Sequence, residues 1–135
     1  MAADYTYDYA IIRVVPRVER GEMINAGIIL SCPAADFLDA RVELDVETLL
    51  ALDATLDVDA VRANLSTIPL ICRGGPEAGP IGELPQRSRF HWLVSPRSTI
   101  IQTSPVHTGR TSDPSAALER LLTTMVRRRP NRKLT

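Results

Sequence analysis

The fold prediction begins with residues 5–32, whose sequence is YTYDYAIIRVVPRVERGEMINAGIILSC. Its first part is rich in β-branched and aromatic residues and holds no strand breaker before Pro16, which predicts a strand over Tyr5–Val15. Gly21 predicts a turn with a positive φ. The run Met23–Cys32 predicts a second strand, so the whole stretch is expected to fold as a hairpin.

Period-two alternation gives this hairpin one wholly apolar face. The residues expected on that face are Ala10, Ile12, Val14, Ile24, Ala26, Ile28 and Leu30. The other face is expected to combine aromatic, polar and small residues, namely Tyr5, Tyr7, Tyr9, Ile11, Arg13, Asn25, Gly27 and Ile29. The hairpin is therefore expected to pack against helices on a single side.

Three aspartates precede apolar residues at helical spacing and predict helix N-caps, namely Asp45, Asp57 and Asp113. The first helix is expected over residues 46–52. In the second helix, Pro69 is expected to kink or end the helix, and Gly74 is the predicted stop. Pro114 suits the first position of the third helix. The apolar stripe of that helix is Leu118, Leu121, Leu122 and Met125.

The region between the second and third helices is predicted to hold a loop and a hairpin. Residues 74–88 contain four glycines and three prolines, which indicates a long loop that serves either as a binding loop or as a packed cover. The runs Phe90–Ser95 and Ser98–Ser104 predict a hairpin closed by Pro96 and Arg97. The core face of that hairpin is expected to carry Phe90, Trp92 and Val94.

With a third strand over Phe37–Leu44, the predicted elements follow the order β-β-β-α-α-β-β-α. That order predicts an α+β domain with a mainly antiparallel sheet of about five strands and three helices against one face. A chain of 135 residues has the size of one domain. We expect a single domain over residues 1–126 and a basic, disordered, solubilising tail over residues 127–135.

Composition excludes several classes of protein. Hydrophobic residues make up 44% and charged residues 24%, which is typical of a soluble globular protein. Sixteen basic and sixteen acidic residues cancel, which excludes a generally basic protein that coats nucleic acid. Cys32 and Cys72 form no CxxC motif, which excludes a disulfide framework and a standard structural zinc site. No signal peptide or membrane span is visible, so a cytoplasmic protein without a cofactor is expected.

The strongest group of candidate functional residues follows the polar face of the predicted second hairpin. It comprises Arg89, His91, Gln102, Ser104 and His107. Histidine exchanges a proton near neutral pH and arginine binds anions, so this face suits a phosphorylated small molecule or a nucleotide. The two histidines are weak candidates for acid–base catalysis, and no catalytic residue is established. The alternative is an ordinary His–Gln pair on a solvated face.

A second candidate site is an anion pocket at one end of the sheet, formed by Arg13, Arg17, Arg20 and Asn25. The alternative is a turn held by local ion pairs, because charges of both signs alternate there. The stripe of three tyrosines in the first strand suits stacking of nucleic-acid bases. However, Arg13 is the only cation beside that stripe and no aromatic partner is visible, so nucleic acid is not the expected partner.

The acidic residues between Asp36 and Asp59 are a possible site for a divalent cation. Eight carboxylates lie in this range, but their spacing matches no calcium-binding loop. We therefore interpret them as a solvated acidic face and predict no metal site. Cys32 and Cys72 lie in apolar stretches without a flanking base and are expected to be core thiols.

Two long strings, Tyr7–Glu22 and Arg89–Gly109, resemble the bacterial family catalogued as domain of unknown function 3037. The resemblance runs from Tyr5 to Val126, nearly the whole chain. Family members are encoded in some bacteria beside a kinase-like protein similar to the toxin kinases of toxin–antitoxin systems. The resemblance therefore implies a kinase-like protein partner, and it brings no catalytic or binding residues onto this sequence.

The leading interpretation is a small, non-enzymatic module for protein interaction or regulation. It is favoured because no complete catalytic motif is present, whereas a tyrosine- and arginine-bearing strand and a long glycine- and proline-rich loop are expected at the surface. One alternative is an enzyme or sensor that binds a phosphorylated small molecule or nucleotide through the Arg/His/Gln face. A second alternative is a nucleic-acid-binding module that uses the arginine-rich patches.

Overall fold

Five strands form one antiparallel sheet in the computed structural model, which describes residues 4–128. The strands are β1 (Tyr5–Val14), β2 (Ile24–Cys32), β3 (Phe37–Val42), β4 (Ile101–Thr103) and β5 (His107–Thr111). Their order is β3-β2-β1-β4, and β5 pairs with β1 on the same edge as β4. The α+β class and the antiparallel five-stranded sheet are confirmed.

Four α-helices accompany the sheet within the described range. They are α1 (Val46–Leu52), α2 (Val58–Arg73), α3 (Gln86–Leu93) and α4 (Pro114–Met125). Short 3₁₀ segments lie at Val18–Arg20 and Pro33–Ala35, and a longer one at Pro76–Glu83. The described residues thus contain five helical segments of seven residues or more, where the sequence predicted three helices.

The three predicted helix N-caps are confirmed. The carboxylates of Asp45, Asp57 and Asp113 accept hydrogen bonds from backbone N–H groups three residues along, at 3.1, 3.1 and 3.2 Å. Pro69 does not end α2, which continues to Arg73. Gly74 ends it with a φ of 74°, in the range that favours glycine.

Helices cover both faces of the sheet, contrary to the prediction of one covered face. On one face, α2 and α3 pack on a core that includes Ile12, Ile29, Leu65 and Phe90. We call this face the α2 side. On the other face, α4 packs its predicted stripe on residues such as Leu30, and we call this face the α4 side.

An irregularity in the pairing of β1 with β2 explains the two apolar faces. Ile12 faces Gly27, but the next residue, Arg13, faces Asn25, which leaves Ala26 as an extra residue. Such a β-bulge exchanges the faces on which the following side chains lie. Strict alternation of residues in the sequence does not reveal a one-residue insertion in the ladder.

The exchange corrects the predicted assignment of β2. Ile28 and Leu30, predicted to share a face with Ile12, lie on the α4 side. Ile29 takes their expected place beside Ile12 on the α2 side. The prediction of a single apolar face is therefore wrong, because β2 supplies side chains to both cores.

The predicted second hairpin is also wrong. Residues 90–93 belong to α3, and the strand expected over Ser98–Ser104 is reduced to β4. Phe90 and Leu93, three residues apart, are buried on one side of α3, whereas Trp92 is 39% exposed. The expected long loop is occupied by the 3₁₀ segment Pro76–Glu83 and the start of α3.

The end of the described chain is held by ion pairs. The Arg127 guanidinium contacts both Glu43 at 2.8 Å and Glu119 at 2.5 Å, and Arg128 lies 3.2 Å from Asp45. The predicted disordered tail over 127–135 therefore begins with two residues that have defined contacts, and the rest of it lies outside the described residues. Between residues 4 and 128, no helix combines the length and the apolar character needed to cross a membrane.

Candidate functional site

A groove of about 590 Å³ lies between α2, the C-terminal end of α3 and the segment that leads into β4. Its walls are mainly apolar and include Ile68, Ile71 and Leu93. Three large apolar side chains that line it are partly exposed, namely Val18 at 44%, Trp92 at 39% and Ile100 at 39%. An apolar concave surface that stays open to solvent is typical of a contact site.

The indole of Trp92 is held in place by Arg97. The guanidinium carbon of Arg97 lies 4.5 Å from the centroid of the ring, which is a cation–π contact. Two nitrogens of the same guanidinium donate to the carbonyls of Leu93 at 2.9 Å and Trp92 at 2.7 Å. Among the described residues that line the groove, Arg97 is the only charged one.

On the α4 side, the sheet register brings three predicted binding residues into one row. Arg13 of β1 lies between Asn25 of β2 and Gln102 of β4. The Asn25 amide donates to the carbonyl of Met125 at 3.0 Å. Gln102 donates to the carbonyl of Thr99 at 2.8 Å and is also among the residues that line the groove.

Within residues 4–128, Arg13 differs from Asn25 and Gln102 in that its Nε forms no hydrogen bond to a carbonyl. Its Nε is buried and makes no hydrogen bond, and no carboxylate pairs with its guanidinium within residues 4–128. A half-buried cation in this state is suited to an external anion, because an unpaired polar group in a partly dry site is costly.

An aromatic group lies farther along the α4 side of β1. Tyr9 faces His107 of β5, with ring centroids 5.4 Å apart, and Tyr7 is 6.0 Å from Tyr9. The Tyr7 ring passes over Gly109, where a Cβ would lie 2.5 Å from the Tyr7 hydroxyl. That hydroxyl accepts a hydrogen bond from Arg120 of α4 at 3.3 Å.

On the α2 side, a polar cluster attaches α3 to the sheet. Asp8 accepts hydrogen bonds from Arg87 at 2.5 Å and Thr108 at 2.8 Å, and Arg87 also donates to buried Ser31 at 2.8 Å. Burial raises the pKa of Asp8, but the hydrogen bonds from Arg87 and Thr108, with the nearby charges of Arg87 and His91, outweigh it and hold that pKa below its ordinary value. The mutual pairing of these groups indicates a structural role.

The structure separates the residues grouped on the predicted second hairpin. His91 is exposed on α3, on the α2 side, whereas His107 lies on the α4 side. Arg89 donates to the carbonyls of Leu84 at 2.7 Å and Cys72 at 3.2 Å, so it connects the end of α2 to the 3₁₀ segment. The Arg/His/Gln face expected for a phosphorylated ligand therefore does not form.

Ser104 lies where β1 changes partner from β4 to β5. Its hydroxyl accepts a hydrogen bond from the N–H of Ile11 at 2.8 Å and donates to the carbonyl of Pro105 at 2.9 Å. The side chain is 3% exposed. These contacts give Ser104 a structural role, because its hydroxyl satisfies a backbone donor of β1 that the ladder leaves open.

The predicted anion pocket of four residues is also divided. Arg13 and Asn25 are cross-strand neighbours. Arg17 pairs with Asp53 at 3.5 Å, and Arg20 pairs with Glu22 at 2.5 Å. The second of these pairs is of the local kind that the alternating charges of the turn indicated.

The two cysteines are buried, and the described residues contain no carboxylate cluster that could hold a metal ion. Cys32 and Cys72 are buried and unpaired with each other, as expected for core thiols. Burial raises the pKa of Cys72 to about 12, so its thiol stays protonated at neutral pH. No three His, Cys, Asp or Glu side chains within residues 4–128 are grouped to hold a metal ion.

Residues 9–126 match the family described as protein of unknown function, DUF3037. The chain belongs to the DUF3037 family. The match includes most of both strings on which the resemblance was based. Neither a curated protein nor a solved structure matches the chain.

The sequence does not indicate three residues that lie on the surfaces of this DUF3037 protein. It predicts a core position for Trp92, and it suggests no functional role for Arg97 or Arg120. The signal that could have located Trp92 is the three-residue spacing of Phe90 and Leu93 after the loop, which is helical rather than alternating. The position of Arg120 beside the tyrosines depends on how α4 crosses the sheet, which no local pattern encodes.

Proposed function

We propose that this protein is a non-enzymatic interaction module that binds a helical segment of a partner protein in the groove between α2 and the end of α3. The observation that carries the proposal is the position of Trp92, the only tryptophan of the chain, which lines an open apolar groove while 39% exposed. Tryptophan is among the residues that contribute most to protein–protein binding.

The chemistry of the groove favours one kind of occupant. Side chains such as Ile68, Ile71 and Ile100 offer apolar contact, and Arg97 adds a single positive charge. A partner segment with an apolar anchor and a neighbouring carboxylate is complementary to this set. The carboxylate is drawn to Arg97, and the anchor covers the indole.

The edge of β4 favours a helix over an added strand. In an antiparallel ladder, residues that form no hydrogen bonds with the neighbouring strand turn their backbone groups outward. Ile101 is such a residue with respect to β1, because the hydrogen bond to β1 is made by its neighbour Ile100, whose carbonyl accepts from the Val15 N–H. The outward carbonyl of Ile101 already accepts a hydrogen bond from the Thr99 hydroxyl at 2.8 Å. Strand addition needs such groups free, whereas an amphipathic helix binds through its side chains.

The kinase-like protein implied by the family resemblance is the first partner to test. Purified kinase-like protein is titrated into the full chain, and binding is followed by calorimetry. We expect Ile100→Asp to weaken binding by about tenfold or more, because it places a charge on an apolar contact. Val106→Asp is the matched control, since Val106 is 44% exposed and does not line the groove.

Equal effects of the two substitutions would contradict the proposal, as would the absence of any complex at micromolar concentration. A second measurement guards against misfolding of the variants, because both must keep the far-ultraviolet circular dichroism and melting temperature of the parent. A strand as the bound form would show as new backbone hydrogen bonds at β4 in amide exchange, and this result would refute the helical occupant.

A further inference from the structure

The α4 side of the sheet carries an open surface that the proposed groove does not include. We define the aromatic–arginine strip by five residues, Tyr9, Ile11, Arg13, His107 and Arg120. Arg13, Ile11 and Tyr9 alternate along one face of β1, and His107 lies across from Tyr9 on β5. Arg120 reaches the same face from α4 through the Tyr7 hydroxyl.

Cations flank the aromatic pair of this strip at both ends. From the rise per residue of a strand, the backbone of Arg13 lies about 13 Å from that of Tyr9 along β1. In the other direction, the backbone of Tyr7, whose hydroxyl contacts Arg120, lies about 7 Å from that of Tyr9. Neither arginine pairs with a carboxylate in the part of the chain that the structure describes. The strip therefore offers positive charge that the protein does not neutralise locally.

The aromatic side chains of the strip remain available for stacking. Tyr9 is partly exposed and His107 is exposed, with ring centroids 5.4 Å apart. The buried Nε of Arg13 has no hydrogen-bond partner among residues 4–128. Aromatic rings that stack bases, next to cations that contact phosphates, are the arrangement used to bind single strands.

The two objections raised by the sequence are both answered by this geometry. The tyrosine stripe lacked an aromatic partner, and β5 supplies His107. Arg13 was its only cation, and α4 supplies Arg120. The zero net charge of the chain excludes a general coating protein, but it does not exclude a local site.

We infer that the aromatic–arginine strip binds single-stranded nucleic acid, with bases stacked at Tyr9 and His107 and phosphates held by Arg13 and Arg120. A strip along a sheet face fits a polymer that lies across it. The unneutralised arginines are complementary in charge to phosphates, and a single strand presents its bases for stacking whereas a duplex does not.

The binding experiment uses the full chain and fluorescently labelled RNA and DNA of mixed sequence, about 12 nucleotides long, on the scale of known single-strand sites. Fluorescence anisotropy is recorded from low to physiological salt. We expect binding that weakens as salt rises and that is at least tenfold tighter for the single strand than for the matched duplex. Polyglutamate serves as a polyanion without bases and is expected to compete poorly.

Two variants locate the site. His107→Ala removes an exposed stacking ring, and Arg13→Gln removes a cation; together they are expected to weaken single-strand binding about tenfold or more. Arg13→Gln alone is expected to lower the slope of log K against log salt by about 1. Arg110→Gln is the matched control, because Arg110 lies on β5 but faces the other side of the sheet.

Several results would overturn the inference. The first two are the absence of salt-dependent binding at low salt and an affinity for polyglutamate equal to that for the single strand. The third is a loss of affinity in Arg110→Gln equal to that in the site variants. The fourth is full binding in the double variant, which would assign binding to other basic residues. His107 is exposed, so His107→Ala is expected to fold even if Arg13→Gln does not, and it tests the stacking part alone. The groove variant Ile100→Asp should leave nucleic-acid binding unchanged, so failure of this inference and failure of the proposed function are distinguishable.

Discussion

The two faces of the sheet leave different surfaces uncovered. On the α2 side, the open surface is an apolar groove whose one cation, Arg97, already donates to carbonyls and stacks on Trp92. On the α4 side, the open surface carries aromatic rings and two arginines, Arg13 and Arg120, that pair with no carboxylate among residues 4–128. The comparison shows that one small sheet leaves an apolar surface open on one face and an aromatic, positively charged surface open on the other, and the two proposals above assign them to different partners.

The largest effect is expected from substitutions that test whether the two faces of the sheet unfold as one cooperative unit. Leu65 and Leu118 are fully buried, one in each core. Leu65→Ala and Leu118→Ala are each expected to lower the free energy of unfolding by about 2–5 kcal/mol, because each leaves a cavity. Urea unfolding followed by tryptophan fluorescence and by circular dichroism should give coincident single transitions for both variants.

Transitions that separate in one variant would contradict this expectation. Trp92 reports the α2 side, whereas circular dichroism reports the whole chain. A fluorescence transition unaffected by Leu118→Ala would mean that the α4 side unfolds on its own.

A smaller change is expected from a methyl group placed at the centre of the sheet. A Cβ at Gly27 would lie 2.5 Å from the carbonyl oxygen of Arg41 and 3.0 Å from the Ile12 side chain. Gly27→Ala is therefore expected to cost about 1–3 kcal/mol through overpacking. Because Ile12 belongs to the α2 side, the emission of Trp92 should shift while the proton resonances of the His107 ring stay in place.

The substitution perturbs one face of a shared sheet and therefore tests whether the two surfaces respond independently. A stability equal to that of the parent would contradict the close approach of β2 and β3. A shift of the His107 resonances as large as that of Trp92 emission would show that the two surfaces are not independent.

The smallest expected effect concerns the polar cluster under α3. The folded protein holds the pKa of Asp8 below its ordinary value of 3.8, so the folded state binds the proton less tightly than the unfolded chain. The resulting stabilisation is present above about pH 4 and is lost as the pH falls through the lowered pKa. Asp8→Asn is expected to lower stability at pH 7 by about 0.5–1 kcal/mol, since the pair with Arg87 is partly exposed to solvent.

Urea unfolding of the parent and Asp8→Asn at a series of pH values checks this prediction. The difference between the two proteins should shrink towards acid pH. A difference that stays constant with pH would mean that the carboxylate contributes through packing and not through its charge.

Local signals in the sequence predicted the local features well. The N-caps Asp45, Asp57 and Asp113 and the turn at Gly21, whose φ is 71°, are set by residues within one turn of each other. The sequence predicts a strand in place of α3 because Phe90, Trp92 and Val94 favour strands. The helical spacing of Phe90 and Leu93 is too short a local signal to outweigh that preference without the tertiary packing that buries both residues.

The candidate surfaces were predicted only in part for a related reason. Arg13, Asn25 and Gln102 were chosen as binding residues, and the sheet does bring them into one row. The contact between Tyr9 and His107 depends on the pairing of β5 with β1, which joins residues almost a hundred positions apart. Long-range pairing of this kind, like the bulge at Ala26, leaves no periodic mark in the sequence.

The central strand β2 has a consequence for motion. Every residue from Ala26 to Cys32 is buried, and neighbours on both sides bond to its backbone. The amides of such a strand exchange with solvent only when the whole domain opens. The sheet is therefore rigid. Any rearrangement on ligand binding at either face must take place in the peripheral segments, above all between α3 and β4.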